Sequence, residues 1–243
     1  MTSFTNLKKA QKRDAGFTLL ELLIVIAIIA ILSIALVFML NPAETLKKAR
    51  DAQRISDLKT VKTALGIMLT ASSTPMLDTA ANPVCTTNTA GAAGGLKIAY
   101  SATTTPIMTF ASNVAGVDGN GVTFASAYIV SGSSAGKVDG TGWIPVNLKA
   151  LTGGTPISSF PTDPVNTLAA TAATSTDLVY RYACQNGTPT ATTKPPYIFE
   201  INARLESNAY TVEDNKMAKD GGDNDSFYEA GNSLNLLPTS TGF

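Results

Sequence analysis

The stretch from Phe17 to Leu40, FTLLELLIVIAIIAILSIALVFML, runs for 24 residues with a single charge, Glu21. As a helix rising about 1.5 Å per residue it reaches about 36 Å, enough to cross the roughly 30 Å of bilayer hydrocarbon. Lys8, Lys9, Lys12 and Arg13 stand directly before it. The bias of positive charge toward the cytoplasm therefore places the N-terminus inside and everything after Leu40 outside. A cleaved secretory signal would instead show a short apolar core ending in small residues of the Ala-x-Ala kind. This run is longer and ends in Val37-Phe38-Met39-Leu40.

Glu21 sets the run apart from an ordinary anchor. A carboxylate costs about 2.5 to 3.5 kcal/mol at the centre of a membrane helix, less near an end, and such groups normally have a partner. One reading puts Glu21 at the interface with water. The other starts from Arg13-Asp14-Ala15-Gly16-Phe17, where charge stops, a glycine intervenes and the apolar segment begins. Cutting after Gly16 creates an α-amino group on Phe17, of pKa about 7.7 to 8.0, one helical turn from Glu21.

At Lys-Lys-Ala-Gln-Lys-Arg-Asp-Ala-Gly-Phe-Thr-Leu-Leu-Glu-Leu-Leu, residues 8 to 23, the sequence resembles the class III signal of type IV pilins and pseudopilins. The resemblance implies a leader of residues 1–16 removed by prepilin peptidase, Gly16 as the last leader residue and Phe17 as the N-methylated first residue. It implies that Glu21 pairs with the Phe17 amino group of a neighbouring copy in a helical filament. The apolar helix would then leave lipid only for copies of itself, driven by burial. A buried charge satisfied only in register with the next subunit would reject misregistered ones, since breaking such a pair costs about 3 to 5 kcal/mol.

Beyond Leu40, Asn41-Pro42-Ala43-Glu44 reads as a helix start, with Asn at the cap and Pro at the first helical position. Proline also interrupts a continuous helix, so Pro42 predicts a kink or unwound stretch within residues 38–42. Leu46, Ala49, Ala52, Ile55, Leu58, Val61, Leu65 and Met68 then recur every three or four residues, which predicts one buried stripe on an amphipathic helix over 41–70. Residues 17–70 thus form one long helical segment in two halves, 17–40 and 41–70. The charges of 41–70, six basic and three acidic, read either as a solvated face with pairs such as Glu44 and Lys48, or as a positive face meeting the acidic heads of neighbouring copies.

Residues 71–243 change to Thr, Ser, Ala, Gly and Pro, with eight basic and thirteen acidic groups. The formal net charge of zero is therefore a cancellation along the chain. Short β-rich runs stand out at 96–100, 107–111, 122–130, 178–184 and 197–203. In the fourth, Val179, Arg181 and Ala183 alternate with Tyr180 and Tyr182, the period of a strand with two distinct faces. These runs predict an α+β fold, pilin-like, in which the long helix packs on an antiparallel sheet head. Trp143, Ile144 and Val146 read as core.

With no histidine in 243 residues, Ser-His-Asp and Cys-His nucleophile systems and His-ligated zinc are excluded. Asp163 and Glu200 are carboxylates that no spacing singles out, and the chain is expected not to be an enzyme. Cys85 and Cys184 belong to no CxxC pair. Outside the membrane a bridge between them is the default, with two free thiols as the alternative; many relatives close a C-terminal loop instead. Asp220, Asp223 and Asp225, on the glycine-containing segment Asp220-Gly221-Gly222-Asp223-Asn224-Asp225, offer hard oxygen ligands suited to calcium. A solvated acidic turn is the other reading. Major pseudopilins of type II secretion look similar here, with Pro161-Thr162-Asp163-Pro164 resembling their proline-flanked turn. Asn186-Gly187-Thr188 is a weak glycosylation signal.

Three functions are consistent with these residues. The first is a filament subunit that waits in the cytoplasmic membrane and is built by an inner-membrane assembly platform into an extracellular fibre for adhesion, twitching, DNA capture or secretion. The second is the major pseudopilin of a type II secretion-like system. The third is a surface binding protein held by one membrane helix, in which Glu21 is incidental.

Overall fold

The computed structural model describes residues 16–87, 96–102, 124–130, 132–167, 174–186 and 197–237. The basic cluster Lys8 to Arg13 and the rest of the expected leader up to residue 15, the run 107–111, and Gly187 and Thr188 lie outside the described residues.

The apolar run becomes helix α1 (Leu19–Leu40). Its window Leu19–Val37 is long and apolar enough to cross a membrane, and none of that window is buried. A helix that is hydrophobic all round belongs in an apolar surround. Ser33, the one hydroxyl within the helix, donates to the Ile29 carbonyl at 2.7 Å and so satisfies itself inside the helix. α1 stops at Asn41, which takes the left-handed conformation (φ 38°, ψ 73°), one that a short polar side chain tolerates better than most. Helix α2 (Pro42–Ala71) begins on the next residue. Asn41 serves both helices, because its carbonyl accepts from Glu44 N at 3.1 Å and Thr45 N at 3.2 Å. Pro42 at the first helical position has no N–H to leave unsatisfied.

From Leu46 onward α2 belongs to one compact unit with the rest of the chain. Leu58, Val61, Leu65 and Met68 are buried, as the periodicity predicts, and Ala64 is buried beside them. The first turns depart from it. Leu46 is 61% exposed, Ala49 and Ala52 lie at the surface, and Asp51 and Arg54 are buried instead. Periodicity cannot register this rotation, because the polar pair is buried by bonds to distant segments.

The strands are β1 (Thr86–Thr87), β2 (Leu96–Tyr100), β3 (Phe124–Ile129), β4 (Tyr180–Asn186), β5 (Ile198–Ala203) and β6 (Tyr228–Gly231). The sheet runs β3-β2-β4-β5-β6, with β1 pairing β4. It is mixed and not purely antiparallel. β2 with β3 and β1 with β4 are parallel, and the other pairs are antiparallel. Parallel neighbours need a crossover of a dozen or more residues, and residues 101–123 are long enough to supply one between β2 and β3. The segment 88–179 between β1 and β4 is longer still. β6 was not expected from sequence, because it follows the acidic loop with only one large apolar residue, Tyr228.

β4 is buried on both faces. Tyr180, Tyr182 and Cys184 join Phe199, Ile201 and Ala230 in a core with the buried face of α2, closed by Trp143, Ile144, Val146 and Phe160. Trp143 Nε1 donates to the Pro161 carbonyl at 2.9 Å, which satisfies its polar end. Val179 and Ala183 face the other way, packing with Ile98, Tyr100, Ile198, Phe227, Leu236 and Leu237. The sheet therefore has a helix on one face and the C-terminal segment on the other.

Candidate functional site

At the start of α1, Thr18 is in the extended conformation and caps the helix. Its Oγ1 accepts from Glu21 N at 3.2 Å. Glu21 Oε2 accepts in return from Thr18 N at 2.8 Å and from Thr18 Oγ1 at 2.9 Å. This reciprocal capping box satisfies two of the helix's unpaired N–H groups. Both bonds to the carboxylate use Oε2, so Oε1 accepts nothing from the described residues. Phe17 is 90% exposed. A Cβ on Gly16 would meet no atom of the described residues within 4 Å, so packing among those residues does not demand glycine there.

In the head, Cys85 and Cys184 form a disulfide between the segment leading to β1 and the centre of β4. Polar bonds reinforce the same junction. Asp78 accepts from Val84 N and Cys85 N, both at 2.9 Å, and from Asn186 Nδ2 at 2.6 Å. Tyr182 donates its hydroxyl to the Leu77 carbonyl at 2.8 Å.

A buried ionic cluster surrounds Arg54, whose side chain is 0% exposed. Its guanidinium donates to both oxygens of Asp163 at 2.6 and 2.9 Å, to Asp51 at 2.7 Å and to Glu206 at 2.6 Å. Arg50 grips Glu206 through a second fork, both bonds at 3.0 Å. Asp51 accepts in addition from Glu206 N and Ser207 N, and Asp163 from Val165 N and Asn166 N. Burial opposes the charge on Arg54, but bonds to Asp163, Glu206 and Asp51 outweigh it and raise its pKa. Burial likewise opposes ionisation of Glu206, and Arg50 and Arg54 outweigh that, holding its carboxyl below the usual range.

The second face of the sheet holds a pair of acids. Asn202 opposes Glu229 and Glu200 opposes Gly231 across β5 and β6, which puts Glu200 and Glu229 on one face as diagonal neighbours. Both are buried. Glu200 Oε2 accepts from Leu236 N at 2.7 Å and Leu237 N at 2.9 Å, and Glu229 Oε2 accepts from Asn224 N at 3.2 Å. The remaining Oε1 atoms have no hydrogen-bond partner among the described residues. Burial first, then Glu229, pushes Glu200 well above the carboxylate range. Burial pushes Glu229 up to about 7, with Glu200 and Asn224 N pulling the other way.

Asp220, Asp223 and Asp225 occupy the loop before β6. Asp220 accepts from Gly222 N at 2.8 Å and Glu229 N at 2.7 Å, closing the loop on itself, and Asp223 and Asp225 are exposed. Among the described residues no group of three or more Asp, Glu or Cys side chains is placed to hold a metal ion.

The acids predict a stability maximum at mildly acid pH. Glu206, its pKa depressed on folding, contributes stability that is present above the unfolded value of about 4.3 and lost as pH falls below it. Glu200 and Glu229, their pKa values raised on folding, contribute stability that is full below about 4.3 and lost as pH rises toward and past about 7. The urea midpoint is therefore expected to peak between about pH 4.5 and 6 and to decline toward pH 8. Glu200→Gln, which cannot ionise, should flatten the alkaline limb. A midpoint that is level or rising from pH 5 to 8 would contradict this account.

A family model described as the prokaryotic N-terminal methylation motif matches residues 11–37. The chain carries the prokaryotic N-terminal methylation motif. The match runs from Gln11 to Val37, takes in Gly16, Phe17, the capping box and most of α1, and leaves the head outside it. No curated protein and no solved structure matches the chain significantly.

Within the methylation motif, Thr18 is the residue that sequence reading passed over. Thr18-Leu19-Leu20-Glu21 before an apolar run is a capping-box pattern, so the signal was present. The ring of acids around Arg54 had no such signal, since Asp163 and Glu206 lie 109 and 152 positions away.

Proposed function

We propose that the chain is the precursor of a type IV pilin-like filament subunit. On this reading prepilin peptidase cuts between Gly16 and Phe17, Phe17 is N-methylated, and an inner-membrane assembly platform moves α1 from lipid into a bundle of identical helices. The observation that carries the reading is the coincidence of the methylation motif with a helix of which no described side chain is buried. Such a helix needs an apolar surround, and lipid before assembly and sister helices after it both provide one. Glu21 supports the same reading. Its Oε1 accepts nothing within the described chain, and a neighbour's Phe17 ammonium would supply the missing donor. The head, stapled by a disulfide, suits the oxidising side of the membrane and then the exterior of the fibre.

Intact-mass measurement on protein from the native cell tests the proposal. The expected species has lost residues 1–16 and gained one methyl group on Phe17. A retained leader would leave a surface protein held by a single helix.

A further inference from the structure

A cleft of about 470 Å³ opens on the head between the segments flanking β4 and β5 and the loop before β6. Its volume lies in the range of small-molecule sites. Two of its wall residues carry opposite charges that no ion pair among the described residues engages. Arg204 donates once, from Nη1 to the Ser175 carbonyl at 2.7 Å, and no carboxylate among the described residues lies within ion-pair reach of it. Asp225 is exposed and has no cationic partner among the described residues. The two line one cleft without pairing to each other. The contrast within the head is sharp. Arg50 and Arg54 are fully engaged with acids, and Glu206, which also borders the cleft, is consumed by them. Leu178, Leu205 and Met217 supply apolar wall to the same cleft.

We infer that this cleft binds a free α-amino acid with an apolar side chain. The guanidinium fork of Arg204 receives the α-carboxylate in two parallel hydrogen bonds. Asp225 accepts from the α-ammonium, and the ligand's side chain lies against Leu205 and the adaptable thioether of Met217. The charge pattern selects against other ligands. A peptide terminus brings one of the two charges, an acidic sugar leaves Asp225 facing an anion, and a polyamine leaves Arg204 facing a cation. This function concerns the head alone and stands whether or not the leader is removed.

Equilibrium dialysis of the full-length, detergent-solubilised protein against labelled L-leucine, in chelator, tests the inference. Saturable binding of one leucine per chain is expected. Methionine should compete, whereas N-acetylleucine, without the ammonium, and leucinamide, without the carboxylate, should compete at least about tenfold more weakly. Arg204→Gln and Asp225→Asn should each weaken binding about tenfold or more while shifting the melting curve little, since Arg204 makes one part-buried bond, to the Ser175 carbonyl, and Asp225 is exposed. Absence of saturable binding, binding that survives both substitutions, or N-acetylleucine competing as well as leucine overturns it.

Discussion

Replacing Arg54 with methionine is expected to cost the head about 3 to 5 kcal/mol of stability, the range for removing one partner of a buried ion pair. The reason is what stays behind. Asp51 and Asp163, both with side chains 0% exposed, and Glu206 at 15% would face one another without the cation that all three share. Arg54 also joins α2 to two distant segments, so its loss cuts the tie to Asp163 and leaves the 206–207 segment held by Arg50 and Asp51 alone. Arg54→Lys keeps the charge and loses the planar fork, so it should fall between wild type and Arg54→Met. Urea unfolding followed by the fluorescence of Trp143, the single tryptophan, measures both. A loss for Arg54→Met under about 1 kcal/mol, the range of exposed pairs, would show that the cluster is solvated and not a clamp.

The disulfide carries the second large effect. Cys85 and Cys184 are 99 positions apart, and closing a loop of about 100 residues is worth up to about 4.7 kcal/mol in the chain-entropy model. The double replacement by serine should lower the unfolding free energy by about 2 to 5 kcal/mol. The lower part of that range is favoured by the bonds that remain at the junction. Asp78 still holds Val84, Cys85 and Asn186, and Tyr182 still holds Leu77. The native fold should therefore survive with a lower urea midpoint, and the wild type in reductant should shift to match it. An unchanged midpoint in both would show that the junction is held by its polar bonds alone.

Legibility in the sequence followed locality. α1 was legible because a run of apolar residues has one physical reading at that length, and the break before Pro42 because proline cannot donate. The faces of β4 were legible in the alternation of Val179, Arg181 and Ala183 with Tyr180 and Tyr182. Parallel pairing of β2 with β3 was not, since both orders satisfy the same alternation and the choice rests on the path of a long connection. The exposed Leu46 and buried Arg54 reversed the expected stripe for a related reason. A guanidinium is buried where three acids from elsewhere converge, and that convergence exists only after folding. The acidic loop was legible as a loop, but Glu200 and Glu229 come together on one buried face through a strand pairing that no local pattern announces.

The sheet's double cover has a consequence for how such a protein can change over time. A strand side chain buried on either face answers to its neighbours, so a substitution there is corrected by loss of the fold. Variation is left to the connections, where drift costs the scaffold little. Lineages carrying this scaffold should thus diverge fastest in their Thr, Ser and Gly-rich insertions while the strands stand still, as a lamp keeps its frame when the shade is replaced.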